Sequence, residues 1–162
     1  MIAERPAASA VAILMGELAV SDDVAVPLAI YGLGSCIGLS LWDPARRVAA
    51  MAHFMLPAGT ADQPPAKFVD AGLGRLISAF ELAGGRVAGA QIKAAGGAAV
   101  LALSGGMADI GRRNADALRI GLAERRLRLT ASDLGGRMAR TIELSTETGG
   151  LSVRAAASVV VI

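Results

Sequence analysis

Apolar positions keep two different spacings along the chain, and the points where the spacing changes divide it into strands and helices. From residue 24 the pattern is that of extended chain. Strands are predicted over 28–31 and 36–42, joined by the tight passage Gly32-Leu33-Gly34-Ser35, and a third over 48–56. Asp43-Pro44-Ala45-Arg46 stands between the last two with the chemistry of a turn, aspartate at the first position and proline presetting φ at the second. A loop over 57–65, rich in glycine and proline, leads into helical spacing: Phe68, Leu73, Leu76, Ile77 and Phe80 predict a helix over 65–83 that Gly84-Gly85 ends. A short strand over 91–95 stops at Gly96-Gly97. A second helix is predicted over 109–126, with Ala115, Leu118 and Leu122 facing inward. Strands over 128–132, 140–145, 151–155 and 159–162 follow, separated by Asp133-Leu134-Gly135-Gly136 and Glu147-Thr148-Gly149-Gly150. Residues 10–20 are apolar but too few and too weakly capped to assign, and Ser21-Asp22-Asp23 marks a turn after them.

The strand over 48–56 is apolar on both faces. Val48, Ala50, Ala52, Phe54 and Leu56 alternate onto one; Ala49, Met51, His53 and Met55 onto the other. A strand of that kind belongs in the middle of a sheet covered on both sides, and the two predicted helices are its expected covers.

Composition narrows the picture. At 162 residues, without internal repeat or linker, the whole chain, 1–162, is expected to form a single domain with a core of its own. Aromatic residues are 3% against 54% hydrophobic, so that core must be packed from small side chains. The formal net charge is +2, from arginines scattered among acids rather than a basic stripe, which argues against nucleic acid as a partner. Residues 7–15 imitate a signal-peptide core, but Glu4 offsets Arg5 ahead of them, Glu17 follows closely, and no persuasive cleavage site appears. Residues 24–42 are uncharged and long enough to span a membrane, yet Pro27, the glycines and serines and the strand-like alternation make them buried sheet. A single cysteine forms no internal disulfide and, with one histidine, provides no soft ligand set for zinc; a reducing, cytoplasmic location without metal or cofactor suits the chain.

Those two singletons, Cys36 and His53, lie on either side of the predicted hairpin. If Pro44-Ala45 is a two-residue connection, Cys36 faces His53 directly; if the loop holds four residues, His53 faces Gly38 and lies diagonal to Cys36 on the same face, at roughly 7–8 Å. An odd loop without a bulge would separate them onto opposite faces. Proline fits the primed two-residue turns poorly, which favours the four-residue loop or a bulged variant. Two readings compete. A lone cysteine and a lone histidine in apolar strands are ordinarily core packing. Against that, both even registers let the side chains meet, and Gly34-Ser35 ahead of the cysteine leaves backbone room for a substrate, as a thiol nucleophile with an imidazole base requires.

The stretches GLGSCIGLSLWDP, MAHFMLP, KFVDAGLGRLI, KAAGGAAV, IGRRNADAL, DLGGRMAR and ETGGLSVR, in this order over nearly the whole chain, resemble the CheD family of chemoreceptor glutamine deamidases. The resemblance implies a layered α/β (α+β) fold in which mixed or antiparallel sheet packs with two main helices. It implies Cys36 as nucleophile and His53 as general base and acid, with the oxyanion held by N–H groups in the Gly34-Ser35-Cys36 passage. The expected reaction is hydrolysis of selected glutamine side chains in the cytoplasmic helices of chemoreceptors through a thioester, with methyl-ester hydrolysis also associated with the family. One departure stands out: where the family pattern places threonine, six residues before the cysteine, this chain has Ile30. Isoleucine cannot hydrogen-bond an imidazole, so orientation of His53 passes to Ser35, Tyr31, a backbone carbonyl or water. The alternative function is a binding regulator with a weakened or inactive site that docks on receptors or on CheC, the phosphatase that partners the family.

Outside the pair, Lys93 is read either as a contact for an anionic receptor surface or as a strand lysine extending to solvent. Lys67 also lies in a family motif. Arg112, Arg113 and Asn114 begin the second helix and read mainly as structure, and Asp133 suits a tight turn braced by Arg137 or Arg140.

Overall fold

Asp43 sets the centre of the architecture by closing the predicted hairpin. Its Oδ1 accepts hydrogen bonds from the N–H groups of Ala45 (2.9 Å) and Arg46 (3.1 Å), and its carbonyl accepts from Arg47 N at 2.7 Å. In this computed structural model, which describes residues 9–60, 64–100 and 109–162, the hairpin joins β4 (Ile37–Asp43) to β5 (Val48–Phe54). The 57–65 loop and the signal-like stretch 7–15 fall partly outside the described residues.

Before the hairpin come β1 (Val11–Ala12), β2 (Leu18–Ser21) and β3 (Leu28–Leu33). After it come α1 (Val69–Leu82), a 3₁₀ turn at Val87–Gly89, β6 (Gln91–Gly96), α2 (Ile110–Glu124), β7 (Ala131–Leu134), β8 (Arg140–Leu144), β9 (Leu151–Ala155) and β10 (Ser158–Val161). The strands make two five-stranded sheets, β2-β5-β4-β6-β7 and β1-β3-β8-β9-β10. Both are mixed: β6–β7 and β1–β3 run parallel, and the other pairs antiparallel. The fold is therefore α+β, as expected.

β5 is buried on both faces at every residue, but its covers differ from expectation. Ala50, Ala52 and Phe54, with Ile37, Leu39 and Leu41 of β4, meet Leu73, Leu76 and Phe80 of α1 and Leu118 and Leu122 of α2. Both helices thus lie on one side. The other side, carrying Trp42, Ala49 and Met51, is covered by the second sheet through Ile30, Leu33, Ile142, Leu144, Leu151 and Val153. The physical reason lies in β8 and β9, which alternate buried and less buried positions and so have one apolar face to hide. Each fully buried leucine or phenylalanine in these layers contributes about 1.5–3 kcal/mol relative to exposure.

Boundaries shift where local hydrogen bonds override pattern. α1 begins at Val69, four residues later than predicted, because Phe68 is extended (φ −112°, ψ 139°) and bridges to Leu56. It ends as predicted: Gly84, at φ +96°, donates to Glu81 O and Gly85 donates to Phe80 O, both at 3.0 Å, a left-handed cap that glycine adopts without strain. β7 lies at Ala131–Leu134 rather than 128–132, because its pairing with β6 carries on until Gly135 N donates to Gly96 O at 2.8 Å. Asp133 and Leu134 are accordingly strand, not turn. The unassigned residues 10–20 form β1, on the edge of one sheet, and β2, on the edge of the other, so the short link between them crosses from layer to layer. Among the described residues no helix is long and apolar enough to cross a membrane.

Candidate active site

The register of the hairpin decides where its two singletons lie. Asp43 pairs with Val48 and Gly38 with His53, so the connection is the four-residue one, Pro44 to Arg47, and not the two-residue alternative. Arg47 takes φ +57° to complete it. Cys36 lies just outside β4, one residue before the last pair, Ile37 with Phe54, rather than within the strand as predicted. Parity still puts it on the face of His53: Cys36 packs against the layer between the sheets, as do Trp42 and Met51. His53 is buried at 4% exposure, while Cys36 is partly open.

The segment carrying Cys36 is fixed by three consecutive carbonyls. Gly34 O accepts from Ala98 N at 2.8 Å, Ser35 O from Asn114 Nδ2 at 2.9 Å, and Cys36 O from Gly97 N at 2.8 Å. Two of these come from the chain just after β6, which can approach because Gly96 lacks a side chain: a Cβ there would strike the Cys36 carbonyl, and its φ is +110°. Sequence motifs that looked like isolated glycine pairs are therefore the support of the cysteine loop.

His53 is fixed from the opposite side. Its main chain exchanges hydrogen bonds with the β1–β2 link, His53 N to Glu17 O at 2.9 Å and Gly16 N to His53 O at 3.0 Å. Its ring nitrogen Nδ1 lies 3.4 Å from Ile13 O, a long contact in a buried setting. A carbonyl can only accept, so this contact puts the proton on Nδ1 and leaves Nε2 as the acceptor. The link is itself pinned, with Leu14 N donating to Glu17 Oε2 and Glu17 N to Leu14 O, both at 3.0 Å. Of the orienting groups open from the sequence, the structure supplies a backbone carbonyl. Tyr31 is 60% exposed, and Ser35 contributes its carbonyl to Asn114. Ile30 is fully buried, pairs with Ile142, and packs over Gly38, the partner of His53.

Both groups are held toward neutrality. Burial pushes the Cys36 thiol up. Burial pushes the His53 imidazole down, and the Ile13 carbonyl and the Glu17 charge only partly oppose it. Both shifts favour the neutral forms, thiol and uncharged imidazole, over an ion pair. Among the described residues no three acidic, cysteine or histidine side chains are grouped to hold a metal ion.

The remaining candidates separate clearly. Lys93 neither reaches solvent nor presents its charge outward: it is buried and donates to Gly149 O (2.7 Å) and Ile162 O (2.9 Å), tying β6 to the second sheet. Burial lowers its pKa. Arg140, not Arg137, braces the turn before β8, with two bonds to the Asp133 carboxylate and a third to Gly135 O. Arg112 is exposed and paired with Asp109, and Lys67 lies 5.4 Å from the centroid of the Phe68 ring. Two functional-looking groups had no clear signal in the sequence: the Ile13 carbonyl, which any residue would provide, and the Asn114 amide, which also donates to Met55 O at 2.9 Å. An asparagine on the inward stripe of a predicted helix was the one available cue to the latter.

Residues 55–155 match the family model described as CheD chemotactic sensory transduction. A protein of Symbiobacterium thermophilum named probable chemoreceptor glutamine deamidase CheD is 43% identical over 148 residues, covering 88% of this chain and 90% of that one. The chemoreceptor glutamine deamidase CheD of Thermotoga maritima is 38% identical over 141 residues, 86% of this chain and 88% of its own. The protein of the same name from Halalkalibacterium halodurans is 39% identical over 129 residues, 76% and 80% of the two chains.

Proposed function

The chain belongs to the CheD family, and from that membership we propose that it is a chemoreceptor glutamine deamidase with Cys36 as nucleophile and His53 as base. One observation carries the assignment: the cysteine and the histidine share a face at the open end of the hairpin, with the imidazole turned by Ile13 O so that Nε2 is the free acceptor. The substrate is a glutamine side chain in the cytoplasmic helical region of a receptor. As the Cys36 sulfur attacks the amide carbon, its proton passes to His53 Nε2; because both groups start neutral, the transfer accompanies the attack. The oxyanion is received by N–H groups of the Gly34-Ser35-Cys36 passage, whose carbonyls are already engaged on the other side. His53 then protonates the nitrogen, ammonia leaves, and a thioester remains. Water, deprotonated by His53, hydrolyses the thioester to glutamate and returns the thiol. A methyl ester passes through the same thioester with methanol as leaving group.

Ile30 favours a second reading, since the family's hydroxyl is missing at that position: a binding regulator that docks on receptor or on CheC without turnover. Mass spectrometry of a receptor cytoplasmic fragment separates the two. Deamidation adds about one dalton per glutamine, and Cys36→Ala abolishes the gain. Equal fragment masses with wild type and variant, both of which still bind the fragment, would leave the regulator as the function.

A further inference from the structure

Asn114 stands in the second turn of α2, on the stripe that also buries Gly111, Leu118 and Leu122. It is fully buried on a helix face whose other inward positions are small or apolar. Its Nδ2 donates to Ser35 O and to Met55 O, each at 2.9 Å, while its Oδ1 is buried with no partner. Flipping the amide would aim that oxygen at two carbonyls, so the orientation is determined by the acceptors it faces. An unsatisfied buried oxygen is unfavourable, and asparagine is a weak helix former, so neither burial nor helix propensity accounts for the residue. What distinguishes it is the pair of atoms it joins: one belongs to the residue before Cys36, the other to the second residue after His53, and strand pairing between those segments has already ended at Ile37 and Phe54.

We propose that Asn114 is a positioning residue, a two-armed amide that sets the separation of Cys36 from His53 by bonding both segments beyond the last strand pair. The two carbonyls flanking Ser35 O are held by main chain, Gly34 O by Ala98 N and Cys36 O by Gly97 N. Asn114 is therefore the side chain through which substitution can loosen this loop relative to β5. The amide touches neither the thiol nor the imidazole in this scheme and acts through the loop alone.

The inference rests on the deamidase reading for its turnover readout and is independent of it for its thiol readout. Cys36 alkylation is followed against pH in wild type, Asn114→Ala, His53→Ala and the double variant. The expected result is that Asn114→Ala takes on the profile of His53→Ala, and that adding His53→Ala changes it no further. With receptor fragment, kcat of Asn114→Ala falls about 10- to 100-fold, since displacement by about 1 Å is sufficient for that, while KM stays within about 2-fold. A residue that merely stabilises would lower the melting temperature and leave the alkylation profile and kcat per folded molecule unchanged; that result overturns the proposal, as does a wild-type profile already equal to that of His53→Ala. If Asn114→Ala does not fold, hydrogen exchange of the Asn114 side-chain amide in the wild-type protein provides the test: both protons are expected to be strongly protected, and exchange at the rate of a free amide overturns the clamp. Absence of wild-type deamidation together with a shifted alkylation profile would count against the receptor substrate and for the clamp.

Discussion

The two ends of the β4–β5 hairpin are built from the same pair of strands and are held in opposite ways. At the closed end a buried carboxylate gathers donors: Asp43 accepts from Ala45, Arg46 and Arg86 N–H groups, the last at 2.9 Å, with the Arg46 guanidinium 3.6 Å away. At the open end a buried amide gathers acceptors, and it does so incompletely, with Asn114 Oδ1 unpartnered and the His53 ring on a 3.4 Å contact. Seven-residue strands separate the two ends by roughly 20 Å. One end is saturated and rigid, whereas the other retains a partly open thiol and an acceptor nitrogen. On the proposed mechanism, stability and chemistry lie at opposite ends of one element, and each should be removable without the other.

Cys36→Ala is the strongest test of that separation. Turnover on receptor glutamine is expected to fall at least about 10³-fold, measured by mass. Its unfolding free energy should move by about 1 kcal/mol or less, because the side chain is small and only partly buried. Asp43→Ala is the reciprocal experiment. It removes the buried acceptor shared by three N–H groups and should lower stability by about 3 kcal/mol in chemical denaturation, with kcat per folded molecule within about 2-fold of wild type. A large loss of kcat there would mean that the ends are coupled. Ile30→Thr probes the open end from the second sheet. The shorter, hydroxylated side chain enters an apolar layer against Gly38 and Ile142, and stability should drop by about 2 kcal/mol with turnover changed by less than about 3-fold. A gain of about tenfold or more would show that the Ile13 carbonyl alone orients the imidazole poorly.

The smallest effect is an acid profile with a separate step for each end. His53 binds a proton less readily in the folded than in the unfolded chain, because burial lowers its pKa from 6.5. As pH falls through 6.5 the unfolded chain protonates first, and stability declines. For Asp43, burial pushes the carboxyl up, but hydrogen bonds from Arg86, Arg46 and Ala45 outweigh it and hold the group below 3.8. Its contribution is present above 3.8 and is lost as pH falls below that value. Denaturant titrations across pH should therefore lose the upper step in His53→Ala and the lower step in Asp43→Asn.

What was legible in the sequence follows the same division. The closed end announced itself, because Asp43-Pro44 is local turn chemistry and its consequence, the even register, propagates along the strands to bring Cys36 and His53 onto one face. The left-handed cap at Gly84 was legible for the same local reason. The second sheet as cover was not, since β3 pairs with β8 across more than a hundred residues and no local pattern states which layer meets which face. The buried role of Lys93 is not legible locally, because its partners, Gly149 O and Ile162 O, are main-chain atoms 56 and 69 positions away. The link 13–17 was too short to carry a periodicity, yet it holds the histidine.

That link has a genetic consequence. An orienting hydroxyl is encoded by particular codons, and one nucleotide change can delete it; the oxygen of Ile13 is present whatever the codon specifies, so drift in the side chain leaves it in place. A main-chain contact of this kind offers no codon as a target for loss, and it leaves position 30 free to serve packing alone, as the fully buried Ile30 does.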